Sequence, residues 1–486
     1  MKSPSNADII RNVNRRRPTP TSTSFDMSNT EKFTSTSSLS LDGGNVRRRG
    51  AVYIFSRNFR QFLSETTLHG ARYTANNEYH VVRRFFWCVL VIGVSIGLII
   101  ILWGEVSNYF QYPTNSLISI HYTSKLNFPA ITLCNYNRNR KSVIGGTPVD
   151  ALMTQLYSSA RLDVKYNINF DWSLLENTTA ILNRTQFELE AAHQKESFIV
   201  ACNYQGDGVE RLCGPNNFTT TFTEFGVCYT FNNDPENQLF VTKFGSNSGL
   251  RVRLFTDENE YTFGKQTGSG FKVLLYSPGD VPLVQQLGFA VPTGVDALVA
   301  IRLEKSINLP PPFPTKCSNA PLKYYDGNYT YVWCALEKIT DFVVSACGCR
   351  EPYMPGSKRV CNLKESIVCV IPVMDDSTER SVTYCGVGCD VTRFDSRVTY
   401  ADFPAKPILE HMSSTTNESS EYFRRNYADI SFFAEDMTFK LTKTVPVMTG
   451  ATLVSNFGGL MGLCLGASLL TAVEFIDFIL FCFCKS

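Results

Sequence analysis

The residues best placed to do chemistry lie close to the end of the chain. Gly450, Gly458, Gly459, Gly462, Gly466, Ala467 and Ser468 crowd into the segment from Thr444 to Val473, thirty residues without a charge. Glu474 and Asp477 follow directly. As helix this segment runs about 45 Å, longer than the roughly 30 Å hydrocarbon core of a bilayer. It must tilt, protrude or break, and a break at membrane depth is tolerated where backbone lines a water-filled path. Small residues ending in acid therefore read as a pore wall rather than a lipid anchor. No catalytic chemistry competes. His121, His193 and His411 sit in no nucleophile or metal motif, so a membrane-anchored ectoenzyme lacks its constellation.

A second apolar run supports the wall. Phe85 to Gly104 is twenty residues without charge, entered through Arg83 and Arg84 and closed by Glu105, with Tyr79 and Trp103 at interfacial positions. Arginines are frequent before it (Arg47, Arg48, Arg49, Arg57, Arg60, Arg72), whereas Lys125 is the first basic residue after it. That bias places the N-terminus in the cytoplasm, and two spans return the C-terminus there. The first fifty residues are polar, so the first span is expected to be its own targeting signal. The expected layout is a disordered cytoplasmic tail at 1–50, a cytoplasmic pre-membrane segment at 51–84 and a first transmembrane helix at 85–104. An extracellular domain at 105–446, a second transmembrane helix at 447–482 and a short cytoplasmic end at 483–486 complete it.

The net charge of +2 over 486 residues gives no support to nucleic-acid binding, and basic residues cluster only in the N-terminal tail, as at Arg15, Arg16 and Arg17. Twelve of the sixteen cysteines lie between the spans. An even number confined to an extracellular region reads as a disulfide framework; the close spacing of Cys347 with Cys349 and of Cys385 with Cys389 keeps a zinc site as the competing reading. Glycosylation sequons at Asn177, Asn183, Asn217, Asn328 and Asn417 fall in the same region. Gly249–Phe255, Phe271–Tyr276 and Ala297–Leu303 read as strands, and Cys334–Cys369 as a short helical subdomain. The fold class is an α+β membrane protein, with two transmembrane helices flanking a large disulfide-rich, β-containing ectodomain.

Several motifs in order give this sequence a family likeness. Leu68-His69-Gly70 precedes the first span, and Phe128-Pro129-Ala130-Ile131-Thr132-Leu133-Cys134-Asn135 follows it. Gly226-Val227-Cys228-Tyr229-Thr230-Phe231-Asn232, Gln286-Leu287-Gly288-Phe289 and Leu309-Pro310-Pro311-Pro312 come next, and Gly466-Ala467-Ser468 lies in the second span. From about residue 60 to 480 the chain resembles the degenerin/epithelial sodium channel superfamily, which includes acid-sensing and peptide-gated channels. The resemblance implies a homo- or heterotrimeric, sodium-selective, amiloride-blocked channel in the plasma membrane, with no cofactor beyond permeant Na⁺ and a candidate modulation by Ca²⁺. Gly466, Ala467 and Ser468 would form its selectivity filter, offering carbonyl and hydroxyl oxygens to partly dehydrated Na⁺. His69 and Gly70 would gate and line the lower pore, and Ser455 would hold the degenerin position. Glu474 and Asp477, three apart on a helix, would form acidic rings at the cytoplasmic side. Asn456 stands where acid-sensing relatives carry an aspartate, so a charged ring at the outer mouth is expected to be absent.

The resemblance also implies the bridges Cys134–Cys228, Cys202–Cys213, Cys317–Cys389, Cys334–Cys385, Cys347–Cys369 and Cys349–Cys361. Acid-sensing relatives have a seventh, whose positions are Lys338 and Thr383 here. Their histidine pair after the first span falls on Pro113 and Thr114, and the acids expected after Cys369 are replaced by Val370, Ile371 and Pro372. Asp375 and Asp376 come later. Asp257, Glu258 and Glu260 remain as a candidate ligand cluster whose carboxylates would suit Ca²⁺ or a basic peptide, and Lys243 fits a palm position that meets a neighbouring subunit. Opening by an extracellular ligand such as a neuropeptide is therefore preferred. A constitutively open channel, proton activation and an obligate accessory subunit are the alternatives. A purinergic receptor shares the two-span plan but lacks a Gly-Ala-Ser belt.

Overall fold

The computed structural model describes residues 57–158, 170–374 and 385–484. The N-terminal tail, Asp375, Asp376 and Thr383 lie outside them. The chain divides into two compact units, Ser95–Leu463 and the pair of segments Met1–Val94 and Cys464–Ser486.

The larger unit is built on strands whose alternation is plain in the sequence. In Gly249–Phe255, Leu250, Val252 and Leu254 are buried while Arg251 is exposed; in Val295–Ile307, Ala297, Val299, Ile301 and Leu303 are buried while Arg302 is exposed. A seven-stranded sheet runs in the order Asp390–Asp402, Val295–Ile307, Tyr427–Pro446, Gly249–Phe255, Ile199–Gln205 and Glu210–Cys213, with Thr114–Tyr122 pairing alongside Tyr427–Pro446. A five-stranded sheet runs Phe289–Val291, Phe271–Tyr276, Ala130–Asn135, Gly226–Phe231 and Phe218–Thr223. Ile131, Leu133, Phe231, Phe271 and Val273 of the second sheet share one core with Leu250, Val252, Val299, Ile430 and Phe432 of the first. Burial of each such side chain is worth about 1.5–3 kcal/mol.

Short helices surround the sheets. Pro148–Tyr157 and Arg184–Ala191 enclose Leu152, Leu156, Leu175 and Phe187, which pack with Leu363 and Ile367. The helix Tyr331–Cys347 opens the cysteine-stapled segment expected from the sequence; Thr330 caps its first turn and Gly348, at φ 71°, ends it.

The strands Thr114–Tyr122 and Tyr427–Pro446 tie the two apolar segments to the sheet. Thr114 lies opposite Pro446, and the Val447 amide donates to the Pro113 carbonyl at 2.9 Å. The first apolar segment is a helix of 30 residues, Val81–Phe110, ten longer than the uncharged run. By itself it is the one helix among the described residues long and apolar enough to cross a bilayer. The second is two helices, Gly450–Leu465 and Leu469–Cys484, which pass the same test only as one broken span.

Candidate functional site

The interruption has local causes. Gly466 takes φ 62°, the left-handed conformation that commonly ends a helix and that a side chain resists. The Ser468 amide donates to Thr471 Oγ1 at 3.0 Å and the Thr471 amide to Ser468 Oγ at 3.4 Å, a reciprocal cap that starts Leu469–Cys484. Gly466, Ala467 and Ser468 are thus the residues between two helices.

The smaller unit supplies what a broken helix lacks. After a helix at residues 57–65, the chain turns through Leu68-His69-Gly70. The His69 amide donates to the Leu465 carbonyl at 2.9 Å, satisfying one of the carbonyls orphaned at a helix end. A Cβ on Gly466 would run into the His69 imidazole. Gly70, at φ 85°, is equally constrained, since its Cβ would stand 2.7 Å from Val91 Cγ2 and 3.4 Å from Trp87. Below the break, Thr67 and Thr471 share a hydroxyl hydrogen bond at 2.8 Å. Thr66 Oγ1 and the Thr67 amide both donate to Glu474 Oε2, at 2.9 and 3.1 Å. Phe62 stacks on Phe478 with centroids 4.6 Å apart and meets Phe475 edge-on at 5.0 Å.

Glu474 therefore anchors the pre-membrane segment of its own chain, a role the expectation of acidic rings did not contain. Asp477 is exposed and makes no hydrogen bond or ion pair among the described residues. Replacing Glu474 with Ala strips an acceptor from a hydroxyl and an amide, and a polar group left unsatisfied costs about 1–3 kcal/mol. Glu474→Ala is expected to lower current at least about tenfold at equal surface protein, while Glu474→Gln, which keeps a carbonyl oxygen, retains most of it. Whole-cell current normalised to surface biotinylation distinguishes the two. Thr66, Thr67 and Thr471 were not singled out from the sequence. Thr471 did carry a signal, as the one hydroxyl residue of Leu469–Cys484, three positions after Ser468.

In the larger unit, Asn456 Nδ2 donates to Glu105 Oε2 of the first helix at 3.1 Å. Ser455, one residue earlier, is exposed.

Six disulfides join Cys134–Cys228, Cys202–Cys213, Cys317–Cys389, Cys334–Cys385, Cys347–Cys369 and Cys349–Cys361. The zinc alternative loses its ligands to them. Among the described residues the one grouping with metal-ligand spacing is Cys349, Cys361 and Glu365, and its two cysteines are bonded to each other. The sequon residues Asn177, Asn183, Asn217, Asn328 and Asn417 are all exposed.

The acids of the candidate cluster lie on one short turn, Asp257 directly before Glu258–Glu260. Glu260 accepts from the Ser142 amide at 2.7 Å, and Glu258 lies 3.9 Å from Arg425. Asp257, at φ 52°, has its carboxyl raised by burial and by Glu260. Lys243 is exposed and makes no ion pair with any of the three.

The charged side chains that do converge line a cavity of about 170 Å³, among them Arg138, Arg184, Glu188, Glu224 and Glu351, with the neutral Tyr353 beside them. Glu188 accepts from Arg138 at 2.6 Å and Arg184 at 2.7 Å. Burial pushes the Glu351 carboxyl up against the pull of Arg184. Burial likewise pushes Glu224 up to about 7, although the Gln285 amide donates to it at 2.8 Å. His193 goes the other way: burial, then Arg140, lower it to about 4, so it is neutral at physiological pH.

Because the folded chain holds the Glu224 proton more tightly than the unfolded chain, its contribution to stability is complete below the ordinary carboxyl range. That contribution is lost as pH rises towards 7. The span amounts to at most about 3 kcal/mol at roughly 1.4 kcal/mol per pH unit. Glu224→Gln is expected to flatten the rise in melting temperature of the detergent-solubilised chain between pH 7.5 and 5.

The larger unit carries the disulfide-rich sheets, and in the smaller one Leu68-His69-Gly70 packs against Gly466. A model of the amiloride-sensitive sodium channel family matches residues 62–478, and the chain belongs to that family, whose members are ion channels and not enzymes. Acid-sensing ion channel 1 of Gallus gallus is 28% identical over 446 residues, covering 86% of this chain and 82% of that one. The bile acid-sensitive ion channel of Mus musculus is 28% identical over 435 residues, covering 86% of both. A cryo-EM structure of a proton-activated chloride channel matches at 6% identity and a TM-score of 0.32 over 81% of this chain and 96% of that one, a likeness that carries no argument.

Proposed function

We propose that the chain is a pore-forming subunit of a trimeric, amiloride-blocked, Na⁺-selective channel of the plasma membrane. Its two spans cross the lipid bilayer and leave both termini cytoplasmic, with the disulfide-rich sandwich outside. The observation that carries this reading is the break at Gly466–Ser468. There Gly466, Ala467 and Ser468 lie outside either helix, with His69 bonded to Leu465 on one side of the interruption and Thr66 and Thr67 bonded to Glu474 and Thr471 on the other. Exposed sequons support the extracellular side. Subunits related to this one are its proposed partners, in a homo- or heterotrimer.

An extracellular ligand such as a neuropeptide is the proposed opener. The absence of the histidine pair at Pro113 and Thr114 supports it, as does the replacement of acids after Cys369 by Val370 and Ile371. One observation favours proton activation as the second reading. Glu224, at about 7, changes charge within the extracellular acid range, and its cavity joins the sandwich to the segment after Cys361. Amidated and free peptide pools, then steps to pH 5, applied to voltage-clamped cells separate the two. Current to peptide alone supports the first reading, and acid-evoked current abolished by Glu224→Gln supports the second. Silence from the chain but leak from Ser455→Cys would identify a homomeric pore awaiting its ligand, and silence from both an obligate accessory subunit.

A further inference from the structure

Glu105 is the single carboxylate in residues 79–149, and no acid occurs from Met437 to Val473. The segments that lead into and out of the outer half of both apolar helices therefore carry one acidic group. The nearest ionisable residues on the strand entering the second helix are Lys443 and Lys440, the latter paired with Glu304 at 3.0 Å. A cation channel gains from negative charge at its outer mouth, because low-dielectric walls focus the field and raise the local concentration of the permeant ion. Asn456 carries no charge of its own, yet it is not idle. Its Nδ2 donates to Glu105 Oε2 at 3.1 Å. It stands one residue from exposed Ser455, on the helix proposed to line the pore. Glu105 Oε1 accepts no hydrogen bond among the described residues, and the helix around it is uncharged back to Arg84. An ionised carboxylate so placed is costly unless it faces water or a cation.

We propose that Glu105 is the permeation residue of the outer mouth. Asn456 holds it beside the pore-lining turn, where it concentrates Na⁺ and weakly binds Ca²⁺ as a hard oxygen ligand. The negative charge that relatives place on the second span is here supplied by the first and presented by an amide. The inference rests on the proposal that Gly450–Leu465 lines the ion path, and its test is arranged so that the two fail separately.

The test is single-channel recording from Ser455→Cys and from Ser455→Cys carrying a second change. External Na⁺ is set low and then saturating, and Ca²⁺ is titrated outside. Glu105→Gln keeps the volume and the hydrogen bond to Asn456 but removes the charge. It is expected to weaken Ca²⁺ block about tenfold and to lower inward conductance at low Na⁺ only. Glu105→Asp, which keeps the charge, retains block within about threefold; Asn456→Ala, which keeps the charge but releases it from the second helix, weakens block to a degree between Glu105→Asp and Glu105→Gln; and Asn456→Asp, which adds a carboxylate, strengthens it about tenfold. Block and conductance unchanged in Glu105→Gln would overturn the inference and leave Glu105 a helix-to-helix tie. If Glu105→Gln does not reach the surface, Asn456→Asp decides, and unchanged block in that variant overturns the inference equally. Absence of amiloride-blocked current from Ser455→Cys itself would overturn the pore reading, and the inference with it.

Discussion

Gly466→Val is expected to abolish selective Na⁺ conduction while leaving the protein at the cell surface. Two effects add. A β-branched residue at φ 62° meets a backbone penalty of about 1–2 kcal/mol, worth about tenfold in population on its own. The added Cβ also enters the space of the His69 imidazole, so His69 must move and its amide must leave the Leu465 carbonyl. Opening that contact unseats Thr66 and Thr67 from Glu474 and Thr471, so the loss spreads beyond one bond. Reversal potentials in Na⁺ and K⁺ solutions measure it. A variant with the parent's selectivity would mean that the contact between the His-Gly turn and the break is incidental. Gly70→Val tests the same turn from its other side, where the Cβ meets Val91 and Trp87.

Cys134→Ser is expected to cause the largest loss of folded protein. Cys134 and Cys228 lie on paired strands at the centre of the five-stranded sheet, 1% and 0% exposed, and their bridge closes a loop of 94 residues. Loop-closure entropy makes such a bridge worth about 4–5 kcal/mol, as much as the whole net stability of many domains. Cys202–Cys213 spans 11 residues beside exposed Leu212 and is worth about 2 kcal/mol less on the same scale. Surface biotinylation should show little Cys134→Ser at 37 °C and intermediate Cys202→Ser. The double variant Cys134→Ser/Cys228→Ser should match either single one, because the two share one bond. Equal surface levels for all variants would remove the disulfide framework as the main support of the sandwich.

What could be read from the sequence was local. Gly466 and Ser468 are a helix stop and a helix start two residues apart, so the break at Gly-Ala-Ser is written in neighbouring residues. Gly249–Phe255 shows its buried face through strict alternation, and Val295–Ile307 was legible from its apolar middle outwards. The uncharged run 85–104 marked the stretch able to sit in lipid but not the ends of the helix. Those ends continue through Arg83 and Arg84 and through Glu105 to Phe110, where polar residues favour helix as well as apolar ones do. The cysteine pairing in the structure is the one that the family resemblance implied; spacing alone left many pairings open.

What could not be read depends on partners hundreds of positions apart. Nothing near Thr66 announces Glu474, 408 residues away, and nothing near Glu105 announces Asn456, 351 residues away. Such pairs are made by the course of the chain, not by periodicity. Half-buried charges are just as hard to place from sequence. Asp257, Glu258 and Glu260 are neighbours in sequence, but Glu260 is held by Ser142 and Glu258 lies near Arg425, both far away along the chain. The buried charges around Glu188 and Glu224 were passed over because a lone acid in a polar segment carries no pattern. Only burial distinguishes Glu224 from a solvated glutamate.

The most direct test is voltage clamp of cells expressing the Ser455→Cys chain alone, with external Na⁺ replaced by a large organic cation and amiloride added. An inward current that vanishes on Na⁺ replacement, is blocked by amiloride and loses its Na⁺ preference in Gly466→Val is the expected result. Surface-expressed protein with no such current, or with a current indifferent to Gly466, would contradict a selective pore at the break.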